Sequence, residues 1–449
     1  MSDLLDIAGR VVERATGDEQ VEAFLTHART FTVKVHEGEV ESLSSAEPRG
    51  AGVRVVADHK QGFAYTTDLT DDGLQEVLDQ ARRNARFASE DEAVGLAESQ
   101  PKPEDVAGMF DEAQPDVDPN DKVAFAIELE AATKAVDARV RTVEDTLYSD
   151  EVVEVAIATS NGISNTFRLT EAWCYSVAIA TEGDDTQVGF DFDLGRGLKQ
   201  LDARRTGRRS AVRALSVLGA EKIPSAKMPV VFDPYTAAQF LGVLGGALTG
   251  ESVQKGRSLF AGRLGESVAS SALTLVDDGR VEGAPGSRPW DAEGVPTGRT
   301  EIIKDGVLTS YLYDVKSARR EGRASTGNAT RLGFKSAPHA APSNLAFVST
   351  GESREEVLRL AGRALLVQDF HGVHSGANAI SGDFSVGVTG RLLENGVPTQ
   401  AVKEVTIAAP MLEILSSVTH VGNDLRWLPF DGSLGGATTL VSEMTVAGS

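Results

Sequence analysis

At 449 residues, 41% of them apolar, the chain can bury two or three domain cores and lies far from a disordered composition. Its 66 acidic residues outnumber 44 basic ones for a formal charge of −22, a balance that repels phosphate backbones and argues against nucleic-acid binding. No apolar run approaches the roughly 18 residues of a membrane span, the first residues lack a signal-peptide pattern, and the lone Cys174 excludes an intrachain disulfide. The expected address is the cytoplasm, with no membrane partner.

Residues 2–18 predict an amphipathic helix, with Leu4, Leu5, Ile7, Ala8, Val11 and Val12 at helical spacing. Short alternating runs at 23–26, 30–36, 39–45, 52–58 and 61–66 predict an antiparallel meander. Thr70-Asp71-Asp72 caps a helix that runs to about residue 88. The Pro-containing, acidic stretch 89–118 reads as a linker or an extended crossing segment. A helix over 120–140 leads into strands at 140–147, 152–159, 163–176, 177–182 and 187–193, two of which flank the hairpin signal Ser160-Asn161-Gly162. A helix over 203–219 follows. Its Arg204, Arg205, Arg208, Arg209 and Arg213 read as a solvated helix face.

From residue 228 the texture changes to short strands at 228–232, 272–277, 300–304, 309–314, 344–349, 384–390 and 402–408. Two helices interrupt them, one opened by Asp233-Pro234 and one over 353–366 with the capping-box pair Ser353 and Glu356. The expected class is α+β. Residues 1–118 and 119–227 form α+β regions with antiparallel sheets and helices, and 228–449 a mainly antiparallel β domain with few helices.

Chemistry is sparse. None of the seven histidines sits in H-E-x-x-H, and His371 and His374 are the one close pair. Three apart on a strand they would face opposite sides, and Gly372 argues against a helix that joins them, so groove-lining or structural roles outrank a metal site. Cys174, between Trp173 and Tyr175 with no His nearby, reads as a buried thiol. No nucleophile elbow, phosphate loop or dinucleotide fingerprint occurs, and Asp277-Asp278 reads as turn chemistry.

Several longer stretches stand out together: Lys255-Gly256-Arg257-Ser258-Leu259-Phe260-Ala261-Gly262, Asp291-Ala292-Glu293-Gly294-Val295-Pro296-Thr297, Asp305-Gly306-Val307-Leu308, Ser325-Thr326-Gly327-Asn328-Ala329, His374-Ser375-Gly376-Ala377-Asn378-Ala379-Ile380-Ser381-Gly382-Asp383-Phe384-Ser385 and Val421-Gly422-Asn423-Asp424-Leu425. With Arg49-Gly50-Ala51-Gly52-Val53 near the start, this ordered set resembles the TldD/PmbA family, once called modulators of DNA gyrase. The resemblance spans nearly the whole chain.

The resemblance also implies a branch. The TldD branch is a zinc peptidase with His-Glu-x-x-x-His on the helix before the Lys255-Gly256 stretch and a further Cys ligand beyond the Gly422-Asn423-Asp424 motif. Here that hexad falls on 241–246, which puts Leu241 and Gly246 at the ligand positions and Gly242 at the base position. Residues 426–436 contain no cysteine. The resemblance therefore implies a non-catalytic PmbA (TldE)-type subunit, with no cofactor of its own, whose TldD-type partner carries the zinc. Such a pair cleaves or processes peptides in an enclosed chamber, and this chain would supply chamber wall and substrate groove. The groove or interface candidates are His371, His374, Ser375, Asn378, Asp383, Arg288, Asp291, Arg299, Tyr311 and Tyr313, each weighed against turn or surface roles. Two alternatives stay open: a stand-alone metallopeptidase with a site around His371 and His374, and a homodimeric peptide-binding module.

Overall fold

The structure, a computed structural model, describes residues 4–428 and 433–448. Its N-terminal half is organised by one seven-stranded sheet. Helix α1 (Leu4–Val12) precedes strands β1 (Gln20–His36), β2 (Glu39–Ala46), β3 (Arg49–Ala57) and β4 (Lys60–Thr66). After α2 (Asp71–Phe87) and α3 (Pro119–Lys134) come β5 (Val140–Thr159), β6 (Ser164–Glu182), β7 (Asp185–Gly195) and α4 (Ala203–Ser216). The strand order is β4-β3-β1-β5-β6-β7, with β2 beside β1, so strands from either side of residue 118 share one antiparallel sheet.

The expected punctuation works where a cap or turn residue supplies it. Thr70 accepts the Gly73 N–H at 3.3 Å, Asp118 accepts that of Asn120 at 2.8 Å, and Gly162 turns the β5–β6 hairpin at φ 89°. It fails where alternation continues without a breaker. Residues 23–26 and 30–36 join in β1, because His27 and Arg29 stay in register with β5 at Glu154 and Val152. Residues 140–147 and 152–159 likewise join in β5. The first helix is shorter than expected: it ends at Val12, and residues 2 and 3 lie outside the described residues.

Period-two alternation then assigns the faces. Odd residues of β1, Val21, Ala23 and Leu25, pack with α1 and α2. Phe31, Val33 and Val35 continue that row under α3 and α4, with Tyr148 and Cys174. Burial pushes the Cys174 thiol up to about 12. Even residues of β1 face the other way, where Phe24 meets Ala292, Val295 and Val315 of the C-terminal half. Residues 89–118 take the crossing role. Leu96 is fully buried, its carbonyl accepts from Arg319 at 2.6 Å, and Asp91 pairs with Lys316 at 3.0 Å.

The C-terminal half is mixed but strand-rich. Strand β8 (Ala226–Phe232) and helix α5 (Pro234–Gly245) open it. One six-stranded sheet contains Arg299–Lys304, Leu275–Asp278, Asn344–Phe347 and Ser433–Gly436. In the second sheet, Ala364–His371, β8, Thr439–Ala447, Val397–Pro410 and Asp383–Glu394 pair in sequence, and the last pairs back to the first. Most pairings are antiparallel; β8 with Ala364–His371 is parallel. The large core includes Phe232, Phe240, Phe370 and Phe384, with ring centroids 5.4–5.8 Å apart.

Two local expectations are corrected. The helix expected over 353–366 is Arg354–Ala361: its capping box forms, but Gly362 at φ 61° ends it and residues 364–371 become a buried strand. Residues 309–314 form no strand, and Asp314 instead caps a helix by accepting the Ser317 N–H at 2.8 Å. Among the described residues no helix is long and apolar enough to cross a membrane.

Candidate functional site

Helix α5 occupies the place where a zinc-peptidase helix would be expected. Asp233 caps it by accepting the Thr236 N–H at 3.0 Å, and Pro234 starts its first turn. Leu241 and Leu244 are fully buried. A Cβ on Gly242 would lie 3.0 Å from Leu434 Cδ1, and Gly246 begins a 3-10 turn that ends at Leu248. None of Leu241, Gly242 and Gly246 has a side-chain donor atom for a metal or a base for water, so the residues here do not fit zinc. Among the described residues no group of three or more His, Cys, Asp or Glu is placed to hold a metal ion. In the 426–436 segment, residues 429–432 lie outside the described residues.

The residues expected around 371–383 divide between a groove and a turn. His371 ends its strand, and its Nε2 is 2.8 Å from Thr389 Oγ1. Gly372 then takes a left-handed φ of 72°, and residues 373–376 make one helical turn that holds exposed His374. The two histidines thus sit on different elements. Ser375 donates to the Gly372 carbonyl at 3.1 Å. Asn378 Oδ1 accepts the Ile380 N–H at 2.9 Å, and Asp383 accepts from Ser381 Oγ at 2.6 Å. Three of the five candidates therefore shape a turn.

The other candidates lie elsewhere. Arg299 is exposed and 3.9 Å from Asp278. Tyr311 donates to the Phe260 carbonyl at 2.7 Å and Tyr313 to Glu321 at 2.7 Å, so both hydroxyls serve packing. Asp291 is buried and accepts the N–H groups of Glu293, Val295 and Ala329 at 2.8–3.0 Å. Burial, with Glu293 nearby, raises its carboxyl to about 7. Asp277 is a further correction. It is buried rather than part of a turn, it accepts from Ser343 N and Asn328 Nδ2 at 2.7 and 2.6 Å, and burial raises it to about 6.

A buried seam beside Asp291 escaped the sequence reading. Arg54 of β3 reaches Glu22 of β1 at 2.5 Å and Glu293 at 2.9 Å, and Arg331 also pairs with Glu22. All four side chains are at most 3% exposed. Glu22 and Arg54 are directly opposed in the β1–β3 register, so the available signal was a complementary charge pair at facing strand positions.

An open groove of about 530 Å³ lies at the far edge of the same sheet, where β7 is the terminal strand. Phe190 of β7, Arg213 of α4, Tyr235, Asp369 and His371 line it. Arg213 was expected on a solvated face. Instead it donates to Asp233 at 2.7 Å and to the Gln368 carbonyl, with its guanidinium carbon 5.7 Å from the Tyr235 ring centroid. Phe190 bridges Tyr175 and Tyr235 with centroids 5.7 and 5.4 Å away. Burial raises the Asp369 carboxyl, opposed by His371 and Arg213. The groove offers aromatic surface, two cations held in ion pairs, Arg213 and Lys403, and the carboxyls of Asp369 and Glu404, a set suited to holding a chain rather than to breaking a bond.

Comparison with known proteins agrees along the whole length. Three family models match: PmbA/TldA metallopeptidase domain 1 over residues 21–85, the central domain over 112–218 and the C-terminal domain over 225–448. The Escherichia coli protein named Metalloprotease PmbA is 28% identical over 447 residues, 99% of this chain and 96% of its own length. A Haemophilus influenzae protein named Metalloprotease TldD homolog is 27% identical, with 87% of this chain and 82% of its own length covered. A Thermotoga maritima structure described as a candidate modulator of a DNA gyrase superposes with TM-score 0.90 at 26% identity, over 99% of this chain and all of that one. The structure of TldE from Thermococcus kodakarensis gives TM-score 0.88 at 22% identity over 99% of both chains, a likeness of fold. The chain belongs to the PmbA/TldD metallopeptidase family.

Proposed function

We propose that this chain is a PmbA (TldE)-type subunit without its own metal centre, which pairs with a zinc-bearing TldD-type subunit in a peptide-cleaving complex. The observation that carries the reading is the end of α5, where the hexad 241–246 is Leu-Gly-Val-Leu-Gly-Gly: Leu241 and Leu244 are buried in the core, and exposed Gly242 and Gly246 carry no side chain that could hold a metal or activate water. Similarity to relatives named for both PmbA and TldD supports a two-subunit arrangement. In this reading the groove beside β7 guides an extended peptide: the free edge of β7 offers backbone hydrogen bonds, and Phe190 and Tyr235 offer sequence-tolerant apolar contact.

Co-expression with a TldD-type chain from the same genome tests this. The expected result is a stoichiometric complex that cleaves an unstructured peptide and holds zinc, while this chain alone holds none and cleaves nothing. Zinc-dependent cleavage by the isolated chain, or failure of the two chains to co-elute, would sink the reading.

A further inference from the structure

A second cavity, of about 450 Å³, lies between the C-terminal half and the face of the sheet opposite the helices. Strand alternation builds its floor. Phe24 of β1, Val153 and Val155 of β5, and Phe167 and Leu169 of β6 all point to this face, and Val155 pairs with Phe167 and Val153 with Leu169 across the β5–β6 ladder. The roof comes from two loops of the C-terminal half and carries Trp290, Phe334, Arg288 and Arg331. The volume falls within the range of small-molecule sites, and the walls are apolar with a few convergent polar groups.

The two arginines are unusual. The Arg331 side chain is 1% exposed; its Nη2 pairs with Glu22 and its Nε donates to the Ala292 carbonyl at 3.0 Å, yet its buried Nη1 has no partner. Arg288 has a buried Nε without a partner, and among the described residues its guanidinium has no ion pair. A buried donor left unmade costs about 1–3 kcal/mol, more when charged, so an apolar cavity is a poor place for two of them. The carboxylate on this wall, Asp291, is already taken by three backbone N–H groups. Glu151 also lines the cavity, and burial raises its pKa toward the neutral acid. The cavity therefore presents unused N–H donors, while Asp291 is taken up by backbone donors and Glu151 is held toward its neutral form.

We propose that this cavity binds a small apolar or aromatic carboxylate, with the carboxylate on Arg288 and Arg331 and the apolar body against Phe24, Phe167 and Leu169. A planar guanidinium matches a carboxylate, and an amphiphile of this shape fills the apolar floor while it satisfies the roof. The ligand's carboxylate is either that of a free acid or that of a peptide's last residue. The site is separate from the groove beside β7 and does not depend on a zinc-bearing partner.

The test is calorimetric titration of the full chain with 4-phenylbutyrate, its neutral counterpart 4-phenylbutanol, and the dipeptide N-acetyl-Ala-Phe as free acid and as C-terminal amide. The expected result is one-to-one binding of 4-phenylbutyrate, at least tenfold tighter than the alcohol, and a loss of tenfold or more in Arg288→Gln. Among the described residues the Arg288 side chain makes no hydrogen bond or ion pair, but it lies within electrostatic reach of buried Asp291 and Asp277. The melting temperature of Arg288→Gln, read beside its affinity, therefore separates lost binding from lost structure. Binding of the dipeptide acid but not its amide assigns the site to a peptide terminus; binding of 4-phenylbutyrate alone assigns it to a free acid. Absence of binding by both acids at millimolar concentration, equal binding of acid and alcohol, or unchanged binding in Arg288→Gln overturns the proposal.

Discussion

The two halves of the chain meet in two different ways across one sheet. At the β3–β1 end the junction is buried and ionic: Glu22, Arg54, Glu293 and Arg331 pair with one another, with side chains at most 3% exposed. At the β7 end it opens into the groove, which Arg213, Asp369 and His371 line. Buried ion pairs add little net stability over an apolar contact, but once formed they penalise every misaligned docking of the halves. The seam thus fixes a geometry that the groove can use, and the groove stays free to vary in what it holds.

Breaking the seam has the largest expected effect. Arg54→Ala leaves Glu22 and Glu293 short of their shared cation and destabilises the fold by about 3–5 kcal/mol, read from chemical unfolding. If it costs no more than a surface change, the seam does not set the docking. Next is Gly52→Ala. A Cβ there would run into the Phe334 carbonyl, because the loop that holds Phe334 lies directly on β3. The expected cost is about 1–3 kcal/mol, from the same measurement.

Between seam and groove, Glu171 faces Glu151 across the β5–β6 ladder, and burial followed by this repulsion raises it to about 7. A carboxyl raised in the folded state holds its proton more tightly there than in the unfolded chain. Its contribution is therefore complete at low pH and lost as pH climbs from about 4.5 to about 7. Glu171→Gln should match the parent near pH 4 and exceed it by on the order of 1 kcal/mol near pH 7.5, with melting curves at both as the check. An identical difference at the two pH values contradicts the assignment. The smallest effect belongs to the groove: Asp369→Asn, which replaces a half-buried carboxyl that burial already pushes toward its neutral form, should change stability by less than about 1 kcal/mol. A cost as large as that of Arg54→Ala would erase the contrast between the two ends.

Local signals carried well from sequence to structure, and long-range ones did not. The Thr70 cap, the Asn161-Gly162 hairpin and the Ser353 capping box are readable because each is complete within a few residues. The apolar hexad at 241–246 was legible by residue type alone. Glu22 and Arg54, in contrast, look like polar positions on half-exposed strands until a C-terminal half covers that face. The groove gathers β7, α4 and segments near 235, 369 and 389, whose proximity no periodicity announces. The turn-forming roles of Ser375, Asn378 and Asp383 were visible as an option, and only the hydrogen bonds around them decide it.

The seam also bears on how the chain is made. Arg331 lies 309 positions beyond its partner Glu22, and β1 needs β5 as well as β3 to complete its pairing. At ribosomal speeds of about 5–20 residues per second, Glu22 waits roughly 15–60 s before its second arginine emerges. During that interval the nascent N-terminal half presents a ready-made acidic and apolar face with nothing to cover it. This is the period in which a chaperone, or a second nascent copy, would find it most accessible.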